Sequence, residues 1–489
     1  MSAVTALCSH NGPSASAGGE GEGSTGSSGS HSRRLWPRLH LLEVEEYNTI
    51  PYLIPLYYEQ ISFLITPTGY DRMACAIELM QRISGTGELR LYFGLAMEPH
   101  GDDIHWNRVH TARGRNIQWT PLHTYKLAEM VHILSGKVVK RLVLDAPWWT
   151  SSGVPTDFSN YPFMNASWCE DTLNTLEELA IQVPIIDVPY FRMWAIGSLN
   201  ASPIRKLTLR AQDVPHAAWT ELFFGLQVPH LRHLAIDVNT LHAPTLLFFL
   251  VNHPSLQFLG VYQDVMEPDL LYLPSHALPN LRELEGTPLK MSRFLKNSGA
   301  LASIERVDIV SNGLRTCPDL LHTTHCMESL AARPSRPPIH LSLKVVDIQK
   351  DATPTEVSER WIRDEVYPTS GDANEWKEGC AAYKNSWFSK YISCNDDRWP
   401  ALNVRVLEVT LFDHLRFTTS ALYSLPEWVE WCPNVEKVVL QCGAAHFGEE
   451  EDTRLVFEVY TKCPSVQQID VVDDLWGARP YYIRRDPTS

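Results

Sequence analysis

Between Ile204 and Ile309 one short phrase is written five times, and it constrains the fold more than any other feature. It reads Ile204-Arg205-Lys206-Leu207-Thr208-Leu209, then Leu231 to Ile236, Leu256 to Val261, Leu281 to Gly286 and Ile304 to Ile309. The pattern is apolar-x-x-apolar-x-apolar, with Gly286 its weakest letter, and the starts lie 27, 25, 25 and 23 residues apart. Self-similarity at such a period predicts stacked repeats. Each copy is one strand with a helical or irregular return, and it needs its neighbours to bury its apolar face. The expected fold is therefore α/β, a solenoid with a curved parallel sheet inside and helices outside.

The same phrase extends the array in both directions. Upstream it fits Leu39, Leu42 and Val44, Val139 to Leu144, and Leu176 to Ile181. Downstream it returns at Val404, Val435 and Val466, each start 31 residues after the last. Cys432-Pro433 and Cys463-Pro464 introduce the final two copies, as His253-Pro254 and Leu278-Pro279 introduce earlier ones. Proline there stops the preceding helix from running on. Helical spacing predicts a helix over 70–83 and another from Pro121 to Leu134, and segment 244–251 reads as an outer helix. Alternation predicts strands over 87–93 and 339–346.

These signals divide the chain. Residues 1–33 form a Ser/Gly-rich tail too poor in large apolar side chains to order itself. Repeats occupy 34–346, irregular in their first part, and 401–475; residues 476–489 are a C-terminal tail. Between them, 347–400 falls outside the period and holds Trp361, Trp376, Trp387 and Trp399, an insertion packed on the solenoid.

A net charge of −15 disfavours a general nucleic-acid or anionic-membrane binder, each of which needs a basic surface. The most apolar early run, 50–65, is interrupted by Pro51, Pro55, Glu59 and Gln60 and is too short to span a bilayer. The ten cysteines are scattered without a disulfide framework and no secretory signal is seen, so the expected setting is intracellular, cytoplasmic or nuclear.

The repeat phrase resembles the leucine-rich repeat. Asn239 and Asn312 complete the fuller form, three residues after Ile236 and Ile309. Unequal periods, a proline before the strand and aromatic-rich insertions are similar to the divergent repeat regions of fungal F-box-like proteins, over roughly residues 34–345 and 401–475. That resemblance implies substrate recognition for an F-box-type ubiquitin ligase, with a cullin-ligase adaptor as a second partner. The F-box itself, which opens on a Leu-Pro-x-Glu-type phrase, is not seen.

Alternation places the letters between the apolar ones on the concave sheet, the usual binding surface of a solenoid. The candidate partner-binding residues are Lys206, Thr208, Arg210, His233, Asp237, Phe258, Tyr262, Glu283, Arg306 and Asp308. Mixed charge around Phe258 and Tyr262 suits a protein partner better than a polyanion. No catalytic residue, metal site or cofactor is expected. Cys317, His322, His325 and Cys326 lack a paired Cys-x-x-Cys and lie on an expected outer helix, while Cys432 and Cys463 read as core. The alternatives are a stand-alone repeat scaffold without a ligase link and, from another class, a metal-dependent hydrolase within 347–400, the least favoured.

Overall fold

The computed structural model describes residues 39–41, 57–65, 70–93, 121–145, 171–211, 214–262, 271–274, 277–296, 301–311, 317–332, 338–346, 403–412, 429, 432–442, 449–473 and 477–482. The expected tail at 1–33 and insertion at 347–400 lie outside them. The chain is an α/β repeat protein in which, within each unit, strands pair in parallel with their successors up to the chain's antiparallel last strand. It divides into two compact units, one mainly upstream of Pro203 and one that begins its strands after Ile204.

The upstream unit carries β1 (Leu39–Leu41), β2 (Tyr57–Ile65), β3 (Gly85–Phe93), β4 (Val138–Asp145) and β5 (Glu178–Gln182). Each pairs in parallel with the next. Three helices return the chain: α1 (Tyr70–Arg82), α2 (Pro121–Ser135) and α3 (Pro189–Ala201). Ile61, Phe63, Leu89, Leu91, Leu142, Leu144, Leu179 and Ile181 fill the core beneath them, all but removed from water. Pro121 and Pro189 start α2 and α3, where a missing N–H costs nothing because the first helical donors are unpaired anyway. On the other face Arg141 bridges Glu88 at 3.0 Å and Glu178 at 3.1 Å, joining three strands.

The downstream unit carries β6 (Lys206–Arg210), β7 (His233–Asp237), β8 (Phe258–Val261), β9 (Glu283–Gly286), β10 (Arg306–Ser311), β11 (Ile339–Val346), β12 (Val404–Phe412), β13 (Lys437–Cys442) and β14 (Gln468–Asp473). These pair in parallel, and β15 (Gly477–Tyr482) adds an antiparallel strand to β14. Its helices are α4 (His216–Gly225), α5 (Ala243–Asn252), α6 (Pro288–Leu295), α7 (Cys317–Ala331) and α8 (Glu449–Lys462).

The repeat phrase is a physical unit here. Its second residue offers one carbonyl to two N–H groups of the following copy. Arg205 O takes Arg232 and His233, Arg232 O takes Gln257 and Phe258, Gln257 O takes Arg282 and Glu283, and Arg282 O takes Glu305 and Arg306, at 2.8–2.9 Å. Register then stacks like on like, so Leu207, Leu234, Leu259, Leu284 and Val307 form one buried row. Burying each such side chain contributes about 1.5–3 kcal/mol. Gly286 breaks the neighbouring apolar row of Leu209, Ile236, Val261 and Ile309 for a steric reason. A Cβ there would lie 2.5 Å from the backbone oxygen of Val261 on β8, closer than any side chain allows.

The helices seal this row. Trp219, Phe223, Leu246 and Phe249 of α4 and α5 are buried, and Phe223 meets Phe249 edge-on with centroids 5.0 Å apart. His253, just past α5, stacks on Phe249 at 3.9 Å. Its Nε2 accepts the Val228 N–H at 3.4 Å, and its Nδ1 donates to Phe249 O at 2.7 Å. That is a core histidine satisfied by backbone groups. Burial holds its pKa below the usual range.

Candidate functional site on the open face of the downstream sheet

Across from the core, side chains of β6 to β12 form three rows. The first runs Lys206, His233, Phe258, Glu283, Arg306, His340 and the second Thr208, Ala235, Gly260, Glu285, Asp308, Ser342, Glu408. Arg210 and Asp237 begin the third, and Tyr262 follows one position after β8.

Over β6 to β8 the middle row is small. A Cβ on Gly260 would sit 2.9 Å from Tyr262 Oη and 3.1 Å from Phe258 Cε1, so the two rings converge over that glycine. His233 lies parallel to Phe258, with centroids 3.8 Å apart and planes 4° apart. Burial and the adjacent Lys206 charge lower the His233 pKa to about 4, so the ring stacks as a neutral imidazole. Arg210 stands over the Tyr262 ring at 5.6 Å, a cation–π contact, and faces Asp237 at 3.8 Å. The Arg210 side chain remains 47% exposed, and Lys206 is partly exposed. Aromatic faces and an arginine therefore share one patch, residue types that interface centres favour.

Over β9 to β12 the same face is occupied differently. Lys344 sits between Glu285 at 3.0 Å and Asp308 at 2.9 Å. Arg306 sits between Asp308 at 2.8 Å and Glu408 at 3.1 Å. His340 Nε2 reaches Glu408 at 2.9 Å while its Nδ1 lies 3.2 Å from Arg306. Guanidinium only donates, so Nδ1 accepts and Nε2–H donates to the carboxylate. Tyr262 joins the network by hydrogen bonding to Glu285.

The charge states follow from these contacts. Burial works against the Lys344 and Arg306 cations, yet their carboxylate partners outweigh it and raise both pKa values. The His340 hydrogen bond and the Arg306 charge hold Glu408 below its ordinary value, against the effect of burial. Burial and then Glu285 push the Tyr262 phenol up, so it stays protonated.

The ten sequence-derived residues thus do not behave as one surface. Lys206, Thr208, Arg210, His233, Asp237, Phe258 and Tyr262 gather on β6 to β8, and Glu283 stands exposed beside Phe258. Arg306 and Asp308 are engaged inside the ion network, and Asp308 is buried rather than facing water, 5% exposed. His340 and Lys344 complete that network and were not among the expected residues. Their signal was the complement of Leu341 and Leu343 in the alternation of β11.

No model of a known protein family matches the chain, and no curated protein matches it. No helix among the described residues is long and apolar enough to cross a membrane. Nor is any group of three or more metal-ligating side chains found among them. Cys326 is buried on α7 with its thiol on Pro288 O at 3.4 Å, and burial raises its pKa.

Proposed function

We propose that the protein is a protein-binding repeat array of irregular leucine-rich type, and that its partner seats on the strand face of β6 to β8. One observation carries the reading. Phe258, Tyr262 and His233 present partly exposed aromatic surface beside Arg210 and Lys206, whereas the neighbouring charges from Glu285 to Glu408 are paired internally. A partner on β6 to β8 gains desolvated aromatic contact and charge without first breaking a buried ion network. The recurring apolar phrase and the asparagine Asn239 support the leucine-rich reading. Its similarity to fungal F-box-like repeats extends the proposal to substrate recognition within a cullin-based ubiquitin ligase.

The test is comparative affinity capture with the full chain. Phe258→Ala and Tyr262→Ala should each lose a protein that the wild type and Phe248→Ala retain, Phe248 being exposed on α5 away from the strands. An identical set of captured proteins for all four would refute the site. Co-purification of the cullin adaptor tests the ligase extension separately; its absence removes that extension and leaves the binding face standing.

A further inference from the structure

The turn that introduces β7 to β10, β13 and β14 is built the same way. The first apolar residue of the phrase donates its N–H to a carbonyl three residues earlier. Leu231 bonds Val228, Leu256 bonds His253, Leu281 bonds Leu278, Ile304 bonds Leu301, Val435 bonds Cys432 and Val466 bonds Cys463, all at 3.0–3.4 Å. Val228, His253, Leu278, Leu301, Cys432 and Cys463 therefore occupy one column, each no more than 4% exposed. Two consecutive members of this column touch through the Val228 N–H to His253 Nε2 bond at 3.4 Å.

Cys432 and Cys463 are consecutive members. They are separated by the same 31 positions as Val435 and Val466, and the strands that follow run in register from Lys437↔Gln468 to Cys442↔Asp473. Neighbouring parallel strands lie about 4.8 Å apart, inside the ~4.4–6.8 Å Cα separation that a disulfide spans. Burial, with a smaller contribution from Cys463, pushes the Cys432 thiol up to about 12, so it rests protonated, and neither cysteine is in a disulfide. Packing alone does not require sulfur here, because valine and leucine fill the same column elsewhere.

We infer that Cys432 and Cys463 are a redox-closable pair that staples the last two repeats together when a peroxide reaches it. One thiolate attacks a peroxide oxygen and breaks the O–O bond, giving a sulfenic acid and a hydroxide that takes up the proton this thiol released and leaves as water. The other thiolate attacks the sulfenic sulfur, forms the S–S bond and expels the second oxygen as hydroxide, which takes up the second thiol's proton and leaves as water. Two thiols and one hydrogen peroxide thus yield one disulfide and two waters. Access requires local opening of these repeats. The closed loop contains α8 and ties the column on either side of it.

The experiment treats the full-length protein with hydrogen peroxide, blocks remaining thiols under denaturing conditions and maps peptides without reduction. A cross-linked Cys432–Cys463 peptide, about 2 Da lighter than the two free peptides together and released by dithiothreitol, is expected. Proteolysis within α8 should slow by about tenfold on oxidation. Cys432→Val and Cys463→Val, each placing a residue the column already accepts, should fold and lose both effects. Full alkylation of both thiols after peroxide treatment would overturn the inference. So would cross-links from either cysteine to other cysteines alone, or equal slowing of proteolysis in the valine variants.

Discussion

Asp308 is where the ion network on β9 to β12 is most exposed to a single change. Its side chain is 7% exposed and accepts from Arg306 Nε at 2.8 Å and Lys344 Nζ at 2.9 Å. Asp308→Asn keeps the volume but turns one acceptor oxygen into an amide facing a cation that can only donate. One charge-assisted hydrogen bond, ~1.5–3 kcal/mol, is lost outright, and the remaining one is weakened. Two effects soften the loss. Arg306 keeps Glu408 and Lys344 keeps Glu285, and those cations are 30% and 22% exposed, so water reaches them. The expected cost is about 2 kcal/mol, short of the ~3–5 kcal/mol for breaking a fully buried pair. Urea unfolding followed by circular dichroism reads it directly. A double-mutant cycle with Lys344→Met should return a coupling of about 1–2 kcal/mol. A change below about 0.5 kcal/mol for Asp308→Asn, or no coupling to Lys344→Met, would refute the network as a structural element.

The glycines of β8 and β9 should separate cleanly. Gly286→Ala drives a Cβ against the Val261 backbone and should cost about 1–3 kcal/mol in the same unfolding assay. Gly260→Ala meets only the ends of the Tyr262 and Phe258 side chains, so it should cost less than about 1 kcal/mol while displacing the aromatic pair and weakening partner capture. Acid should act through His233. Its folded pKa of about 4 lies below the ordinary histidine value, so its contribution is complete above about pH 6.5 and is lost as pH falls from there to about 4. Denaturation at pH 7, 5.5 and 4 should show about 2 kcal/mol less acid loss in His233→Phe, and parallel curves would contradict this. Leu234→Asp, which puts a carboxylate where the wild-type side chain is wholly buried, should cost several kcal/mol, whereas Arg210→Ala should stay within about 0.5 kcal/mol; equal melting of the two variants would reverse the assignment of faces.

Much of the architecture was legible because the repeat phrase is a backbone device as well as an apolar one. Leu207, Leu234, Leu259, Leu284 and Val307 align in register as their spacing predicts, and β11 and β12 continue the row through Leu341 and Leu407. Helices α1, α2 and α5 appear close to where periodicity and proline placed them. The misses have physical causes. Strand β2 lies in the proline-flanked run 50–65, where buried Ile61 and Phe63 surround Ser62, itself 4% exposed, and weaken the alternation. β15 has Pro480 within it, a residue tolerated there because the strand sits at the end of the sheet.

The site was only half legible. Strand alternation names which residues leave the core, and it did so for the seven residues on β6 to β8. It says nothing of cross-strand pairing, so Asp308 looked solvent-facing until Lys344 and Arg306 closed over it. Lys344 reaches Asp308 from 36 residues away and Arg306 reaches Glu408 from 102, and no local pattern carries that information.

The central claim, that a partner seats on the strand face of β6 to β8, is tested most directly by position-specific photo-cross-linking. A photoreactive residue replaces Thr208, between Lys206 and Arg210 on that face, and in a second protein replaces Glu221, exposed on α4. A partner adduct is expected from position 208, abolished by Phe258→Ala, and none from position 221. An adduct from position 221 alone would contradict the claim.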